Sequence, residues 1–342
     1  MRHPARCCAD AAVDTLRPPG PYDPTAAAYK DWLHLNVFDH ASGMVGLVNA
    51  SLHGAPGVAS SRAVGAALFH LPGAGWLGNL EVRGLEEAGI GASSIALERV
   101  ALALDPATGT AHASARLPDD GVEARIVATA ASRYAAAPLT MPLGSGWIAW
   151  SGVPRLTVAG MLEAGGTVLD LCDASGYQDH NWGRWHWGDD LGWEWGAFLA
   201  PAPGPVFVLS RPTDRAHRAE DPAMVTVHRA PLRRAFGGAG VRLNWHGELR
   251  CALRRVPGAL AALHPDHARP RLPAGLAVTG SDGIDAVELE FTARAAVQLV
   301  TGDPVRPGYS FVHELVGEFS AEGRLEGAAF ACSGLAVVEY VA

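Results

Sequence analysis

The chain has 342 residues, 49% of them hydrophobic and 18% charged, and carries a formal net charge of -8. That length buries a sizeable core and fits two ordinary domains or one large barrel, which excludes a single small module. The acidic balance leaves no basic face to neutralise phosphates, so nucleic acid is excluded as the expected partner, and five scattered cysteines (Cys7, Cys8, Cys172, Cys251, Cys332) without a CxxC pair argue against a disulfide framework or a zinc ribbon.

Residues 1–20 close on Arg17-Pro18-Pro19-Gly20 and read as a tail, with order beginning near Tyr22. Arg2, Arg6, Asp10, Asp14 and Arg17 interrupt any apolar stretch there, so no secretory leader is expected. No run approaches the roughly 18 apolar residues of a membrane span, and a reducing, cytoplasmic location is the expectation. Lys30 is the one lysine among 27 basic side chains; its polar entry segment reads as solvated, which makes lysine Schiff-base chemistry an unexpected route.

From there, short apolar runs alternate with Gly- and Pro-rich gaps. Residues 31–38 and 44–52 read as strands joined by the turn Asp39-His40-Ala41-Ser42-Gly43, followed by runs at 66–70, 94–104, 121–129, 147–150, 156–162 and 167–171. Gly73-Ala74-Gly75-Trp76-Leu77-Gly78 fits GxGxxG, but Pro72 precedes it and Trp76 would crowd a pyrophosphate, so nucleotide binding is not expected. Asn49-Ala50-Ser51 fits a glycosylation acceptor, which means little without secretion. The second half repeats the rhythm at 206–210, 224–228, 242–252, 276–278, 286–292, 311–319 and 335–340. Two polar or Pro-rich stretches, 211–222 and 256–275, read as surface loops or a lid, the second holding a helical turn at 258–263. No long segment keeps a 3.6-residue apolar period, so the fold class is all-β. The expected division is a tail at 1–20, an N-terminal β domain at 21–188 and a C-terminal β domain at 189–342.

Residues 176–196, GYQDHNWGRWHWGDDLGWEWG, hold five of the ten tryptophans. If 177–187 run as a strand, Tyr177, Asp179, Asn181, Trp185 and Trp187 share one face, and Gln178, His180, Trp182 and Arg184 the other. A hairpin loop at 188–192 would set Trp187 opposite Trp193 and Trp185 opposite Trp195, an aromatic wall beside Asp179. A carboxyl group against apolar rings has its charged form desolvated, which suits it to donating a proton to an alkene or a carbonyl. Tyr177 can bond Asp179 or orient substrate, and Asn181 can hold the carboxyl in its donor rotamer. The competing reading makes the tryptophans ordinary core and Asp179 a satisfied structural group. His180 reads as a second-layer histidine and Glu194 as an exposed or paired carboxylate. The His180/His186 pair and His264-Pro265-Asp266-His267 lack zinc-motif spacing, so no metal is expected. GxSxG, P-loop and HExxH motifs do not occur.

The segment Gly176-Tyr177-Gln178-Asp179-His180-Asn181-Trp182-Gly183, followed by Gly192-Trp193-Glu194-Trp195, resembles the lipocalin-like carotenoid 1,2-hydratases (hydroxyneurosporene synthases) and their AttH-type relatives. The resemblance extends in texture to Trp150-Ser151-Gly152-Val153-Pro154. It implies two lipocalin-like antiparallel β-barrel domains, an apolar cavity, and no organic cofactor or metal. It also implies that Asp179 protonates an isoprenoid double bond with help from Tyr177 and Trp150. The hydratases carry a histidine where this chain has Ile148, which shifts the expectation from hydration toward cyclisation. Expected substrate contacts are Trp150, Trp185, Trp187, Trp193, Trp195 and Ile148. The partner is then a hydrophobic small molecule, with peripheral membrane contact for its uptake left open. Two other functions compete: a pericyclase, in which the cavity shapes a reactive conformer, and a non-catalytic carrier of a hydrophobic metabolite.

Overall fold

The computed structural model describes residues 15–20, 22–133, 135–136, 140–218, 222–257, 271–303 and 306–342. Among these residues there are 24 β-strands and four single-turn 3-10 helices but no α-helix, in line with the all-β pattern. The strands form two curled sheets, antiparallel but for the short Arg254–Val256 strand, which runs parallel to Ala286–Gly302. By contacts the chain resolves into one unit comprising the chain up to Asp39, Gly46–Asp189 and Asp303–Gly308, and a second comprising His40–Val45, Asp190–Gly302 and Tyr309–Ala342.

In the first sheet, four strands, Gly75–Gly84, Arg62–Leu71, Met44–His53 and Tyr29–Asp39, lead to Ala174–Arg184, after which Gly146–Ala164, Val122–Ala130, Thr110–Leu117 and Val100–Asp105 complete the main path. Ala174–Arg184 is thus the inserted strand, between the first strand of the unit and a strand that begins 117 residues later, at Gly146. Its neighbours cover it on both sides: Tyr29–Asp39 and Ala174–Arg184 are buried along nearly their whole length. Peripheral Thr110–Leu117 instead alternates, with Ala111, Ala113, Ala115 and Leu117 buried and His112, Ser114 and Arg116 exposed, as a half-solvated strand does.

Two strands that the sequence pattern does not single out, Gly75–Gly84 and Thr110–Leu117, are built from residues of low β propensity. In the first, Gly73 and Gly75 take positive φ (86° and 77°) in the tight turn of a hairpin. GxGxxG here is therefore a strand-to-strand turn, which supports the expectation against nucleotide binding. The runs at 147–150 and 156–162 are one strand, Gly146–Ala164, whose register shifts between Val153 and Leu156. Pro154 lacks the N–H a regular ladder requires, and a bulge is where a strand accommodates it.

The second sheet runs Leu232–Gly237, Met224–Arg229, Val206–Thr213, Gly192–Leu199, Ala328–Val341, Tyr309–Leu325, Ala286–Gly302, Gly275–Ser281, Val241–His246. Its core includes Phe198, Phe207, Phe291 and Phe319, with ring centroids 5.7–6.0 Å apart in edge-to-face pairs. The expected run at 242–252 stops at His246, and the expected loop at 211–222 begins only after the strand ends at Thr213. The helical turn at 258–263, most of the 256–275 stretch and the 264–267 histidines lie outside the described residues. Within the expected tail, Leu16 is buried, its backbone N–H bonded to Ala92.

Candidate active site

The register of the first sheet assembles one face from three strands. Along Ala174–Arg184, Tyr177, Asp179 and Asn181 stand opposite Asn36, His34 and Trp32 of Tyr29–Asp39. On the other side, Asp179 and Asn181 stand opposite Gly152 and Trp150 of Gly146–Ala164, and Gly183 is flanked by Lys30 and Ile148. Directly opposed residues of antiparallel strands share a face, so alternation brings Tyr177, Asp179 and Asn181 together as expected and adds Trp32, His34 and Asn36. Among the residues that pair across these three strands, Asp179 is the one carboxylate on this face.

Asp179 is 5% exposed and accepts a hydrogen bond from Asn181 Nδ2 at 2.7 Å on Oδ1. That bond orients the carboxyl through Oδ1. Tyr177 is buried on the same face. Next to Asp179 on the neighbouring strand, His34 is neutral, because burial pulls its pKa down to about 4. Asn49 Nδ2 donates to His34 Nδ1 at 3.3 Å, so Nε2 carries the hydrogen and donates to Asn36 Oδ1 at 3.0 Å. Asn49, the residue of the glycosylation-like triplet, is therefore part of this network.

Gly152 explains how the two strands come so close at Asp179. A Cβ placed there would lie 2.5 Å from the Gln178 carbonyl oxygen and 3.1 Å from Asp179 Cβ. No side chain fits without moving the acid.

The aromatic groups differ from those expected. Trp185 packs edge-to-face against Trp32 (5.5 Å) and Trp187 (5.6 Å), and Trp150 sits beside Asn181. The hairpin across 188–192 does not form. Ala174–Arg184 pairs with the two strands above, whereas Gly192–Leu199 pairs with Val206–Thr213 and Ala328–Val341. Trp193 and Trp195 thus face Pro212 and Ser210 on one side, Val341 and Glu339 on the other, and the cross-strand wall of Trp187 with Trp193 and Trp185 with Trp195 is absent. A symmetric turn was the wrong inference because each segment finds a long-range partner that buries both of its edges.

Lys30 is not solvated. It is fully buried; its ammonium donates to the carbonyls of Ala28 and Trp185, lies 3.9 Å from Asp303, and sits 5.5 Å and 6.0 Å from the rings of Trp185 and Trp187. Burial lowers its pKa to about 8, against the opposing pull of Asp303. His186 Nδ1 shares Asp303 Oδ2 at 2.7 Å.

The opposite face carries a separate buried set. Asp31 accepts from Tyr29 OH (2.6 Å), the Arg17 N–H (2.9 Å) and His180 Nε2 (2.7 Å), and neither Asp31 nor His180 is exposed. Burial raises the pKa of the Tyr29 hydroxyl. In the second sheet Glu194 is buried and bound by both Arg211 Nε and Nη2 at 2.7 Å, with His217 Nδ1 at 3.1 Å. Trp193 Nε1 donates to Glu339 at 2.6 Å, and burial raises that carboxyl to about 7. Among the described residues no group of three or more His, Cys, Asp or Glu is placed to hold a metal ion.

Trp32, His34 and Asn36 escaped notice although Trp-x-His-x-Asn at 32–36 mirrors the alternation of Tyr-x-Asp-x-Asn at 177–181, with Leu33 and Leu35 between. A polar and aromatic face set against an apolar one, inside a strand that reads as core, was the available signal.

No protein-family model matches the sequence, and no curated protein does. Solved structures do match. An AttH-type protein from Nitrosomonas europaea has a TM-score of 0.64 at 12% identity, covering 94% of this chain and 98% of that one. Kievitone hydratase from Nectria haematococca has a TM-score of 0.62 at 13% identity, covering 96% and 94%. CghA with Sch210972 has a TM-score of 0.59 at 14% identity, covering 92% and 88%. Likeness at this identity is likeness of fold: the chain has the lipocalin-like architecture of AttH-type proteins that the 176–195 motifs imply.

Proposed function

We propose that this chain is a cofactor-independent enzyme in which Asp179 protonates a double bond or carbonyl of an isoprenoid, polyene or polyketide-type substrate, followed by cyclisation or hydration. The observation that carries this reading is a buried face with one carboxyl group, oriented by Asn181 and bordered by Trp150 and Trp32. Two fold relatives, one of them named as a hydratase, add support. Trp150, Ile148, Trp185 and Trp187 remain the substrate contacts proposed in the first unit; Trp193 and Trp195 belong to the second sheet and drop out of the aromatic set around Asp179.

The proton leaves the Asp179 carboxyl, the π pair becomes the new C–H bond, and the cation that results is met by tryptophan faces worth roughly 0.5–2 kcal/mol each when desolvated. The Asp179 carboxylate then takes a proton from a flanking C–H, from a hydroxyl that closes a ring, or from water that adds, and the acid is restored. Ile148 offers no base to activate water, so closure within the substrate is favoured over hydration.

Turnover of candidate polyenes in D₂O tests this. Wild type is expected to place deuterium at one new C–H bond, and Asp179→Asn to lose at least about 100-fold in rate, the usual scale of a lost general acid. An Asp179→Asn protein that keeps its full rate would remove the acid role; undeuterated product would favour a pericyclic reaction, and bound but unchanged ligand a carrier.

A further inference from the structure

Two hydrogen-bond donors that bracket Asp179 have no acceptor among the described residues. Asn36 is fully buried, and because its Oδ1 takes the His34 Nε2–H, its amide nitrogen is turned the other way, where no atom of the described residues accepts from it. It stands opposite Tyr177, one step along the face from Asp179. Beyond Asp179 in the other direction, Trp150 stands opposite Asn181, and its buried indole N–H likewise has no acceptor among the described residues. The Trp185 indole N–H, in the ring that packs on Trp32, is a third.

A buried donor left in this state destabilises the fold, and buried polar groups are nearly always paired. The three groups have a property in common: none can accept. An indole N–H and an amide NH₂ only donate. An unfunctionalised hydrocarbon polyene would bury them permanently unpaired, whereas a carbonyl, ether or hydroxyl oxygen supplies what they lack.

Resting on the reading of this face as the substrate site, we propose that its ligand is an oxygenated polyene, bearing acceptor oxygens near the double bond that Asp179 addresses, received by Asn36 Nδ2 and Trp150 Nε1. Asn36 and Trp150 are then specificity-determining residues. Strand geometry separates their Cα atoms by roughly 16 Å, two strand spacings across and four residues along, so they hold oxygens on two sides of the reacting carbon rather than one shared oxygen. Such a ligand is also held in register, with its double bond presented to Asp179.

Farnesol and farnesene share a C15 skeleton and differ in an oxygen, which makes them a matched pair of probes. Their affinities can be measured by quenching of tryptophan fluorescence and by calorimetry, on the wild type and on Asp179→Asn. Farnesol is expected to bind about 10-fold more tightly, the equivalent of one good hydrogen bond. Farnesol carries one oxygen, so one of two variants, Trp150→Phe, which keeps the ring and loses the N–H, or Asn36→Leu, should bring that ratio toward one while farnesene affinity stays within about twofold. Equal affinities, tighter binding of farnesene, absence of binding by both, or a ratio that survives in both variants would overturn the proposal. The preference should persist in Asp179→Asn, so a failure of the acid role shows in turnover alone and a failure of oxygen recognition shows in binding.

Discussion

At the scale of single residues, the common face of Tyr177, Asp179 and Asn181 was legible in the sequence and its surroundings were not. Tyr177, Asp179 and Asn181 lie two apart, and a strand's alternation suffices to put them on one face. His34, Asn36 and Trp150 reach that face through pairings between segments far apart in the chain, and register over such distances is written in no local pattern. Gly152 belongs to this second kind. Among forty glycines it is singled out only by what stands across from it, the backbone of Gln178 and the Cβ of Asp179. Gly152→Ala must therefore push Asp179 aside by a few tenths of an ångström or more. Loss of at least about 10-fold in kcat/KM is expected, since displacements of about 1 Å at an acid are worth up to 100-fold. Steady-state kinetics beside a thermal melt check this: activity should fall well before the fold does.

At the scale of elements, the central strand had a readable existence and unreadable neighbours. The tryptophan-rich stretch suggested a hairpin because Gly188 and Gly192 flank two aspartates, yet the chain leaves one sheet after Arg184 and enters the other at Gly192. Lys30 shows why. Its ammonium reaches the carbonyl of Trp185 just past the strand end and faces Asp303, so the departing segment is tied by a buried charge and not by hairpin pairing. Lys30→Met removes the cation and leaves Asp303 with His186 and the Arg306 backbone N–H. Removing one partner of a buried ion pair usually costs about 3–5 kcal/mol. With the Lys30 to Asp303 separation at 3.9 Å, the low end, about 3 kcal/mol, is the expected loss, read as a shift in the urea unfolding midpoint with unchanged slope. The reading of Lys30 as solvated failed because a lone lysine amid Ala, Tyr and Asp looks like surface, and only the pairing with Ala174–Arg184 encloses it.

Across the whole molecule, burial of neutral histidines sets how stability responds to acid. Burial lowers His34 and His228 to about 4, and lowers His53 well below its ordinary value. Each stays neutral in the fold while the unfolded chain binds a proton from about pH 6.5 downward. Stability from these groups is complete above that value and is lost as pH falls toward 4. Glu339 acts in the opposite sense: raised to about 7, it takes up a proton in the fold first, a contribution present below its unfolded value and lost as pH rises through 7. Three groups outweigh one, and a net loss of about 3 kcal/mol between pH 7 and pH 5 is expected, visible as a falling melting temperature at pH 7, 6 and 5. A melting temperature that rises over that range would mean the histidines are solvated. The two-sheet architecture was itself largely readable, from strand rhythm and punctuation; what composition could not convey was which polar residues the sheets would enclose.

The enclosure of Lys30 has one more consequence, for the chemistry of the protein's exterior. As the chain's one lysine is interior, the folded surface offers no lysine amine to acylating reagents, to reductive amination or to isopeptide conjugation. Modification at that position must wait for the Tyr29–Asp39 strand to part from its neighbours, so acylation of Lys30 keeps time with local opening of the sheet that carries Asp179.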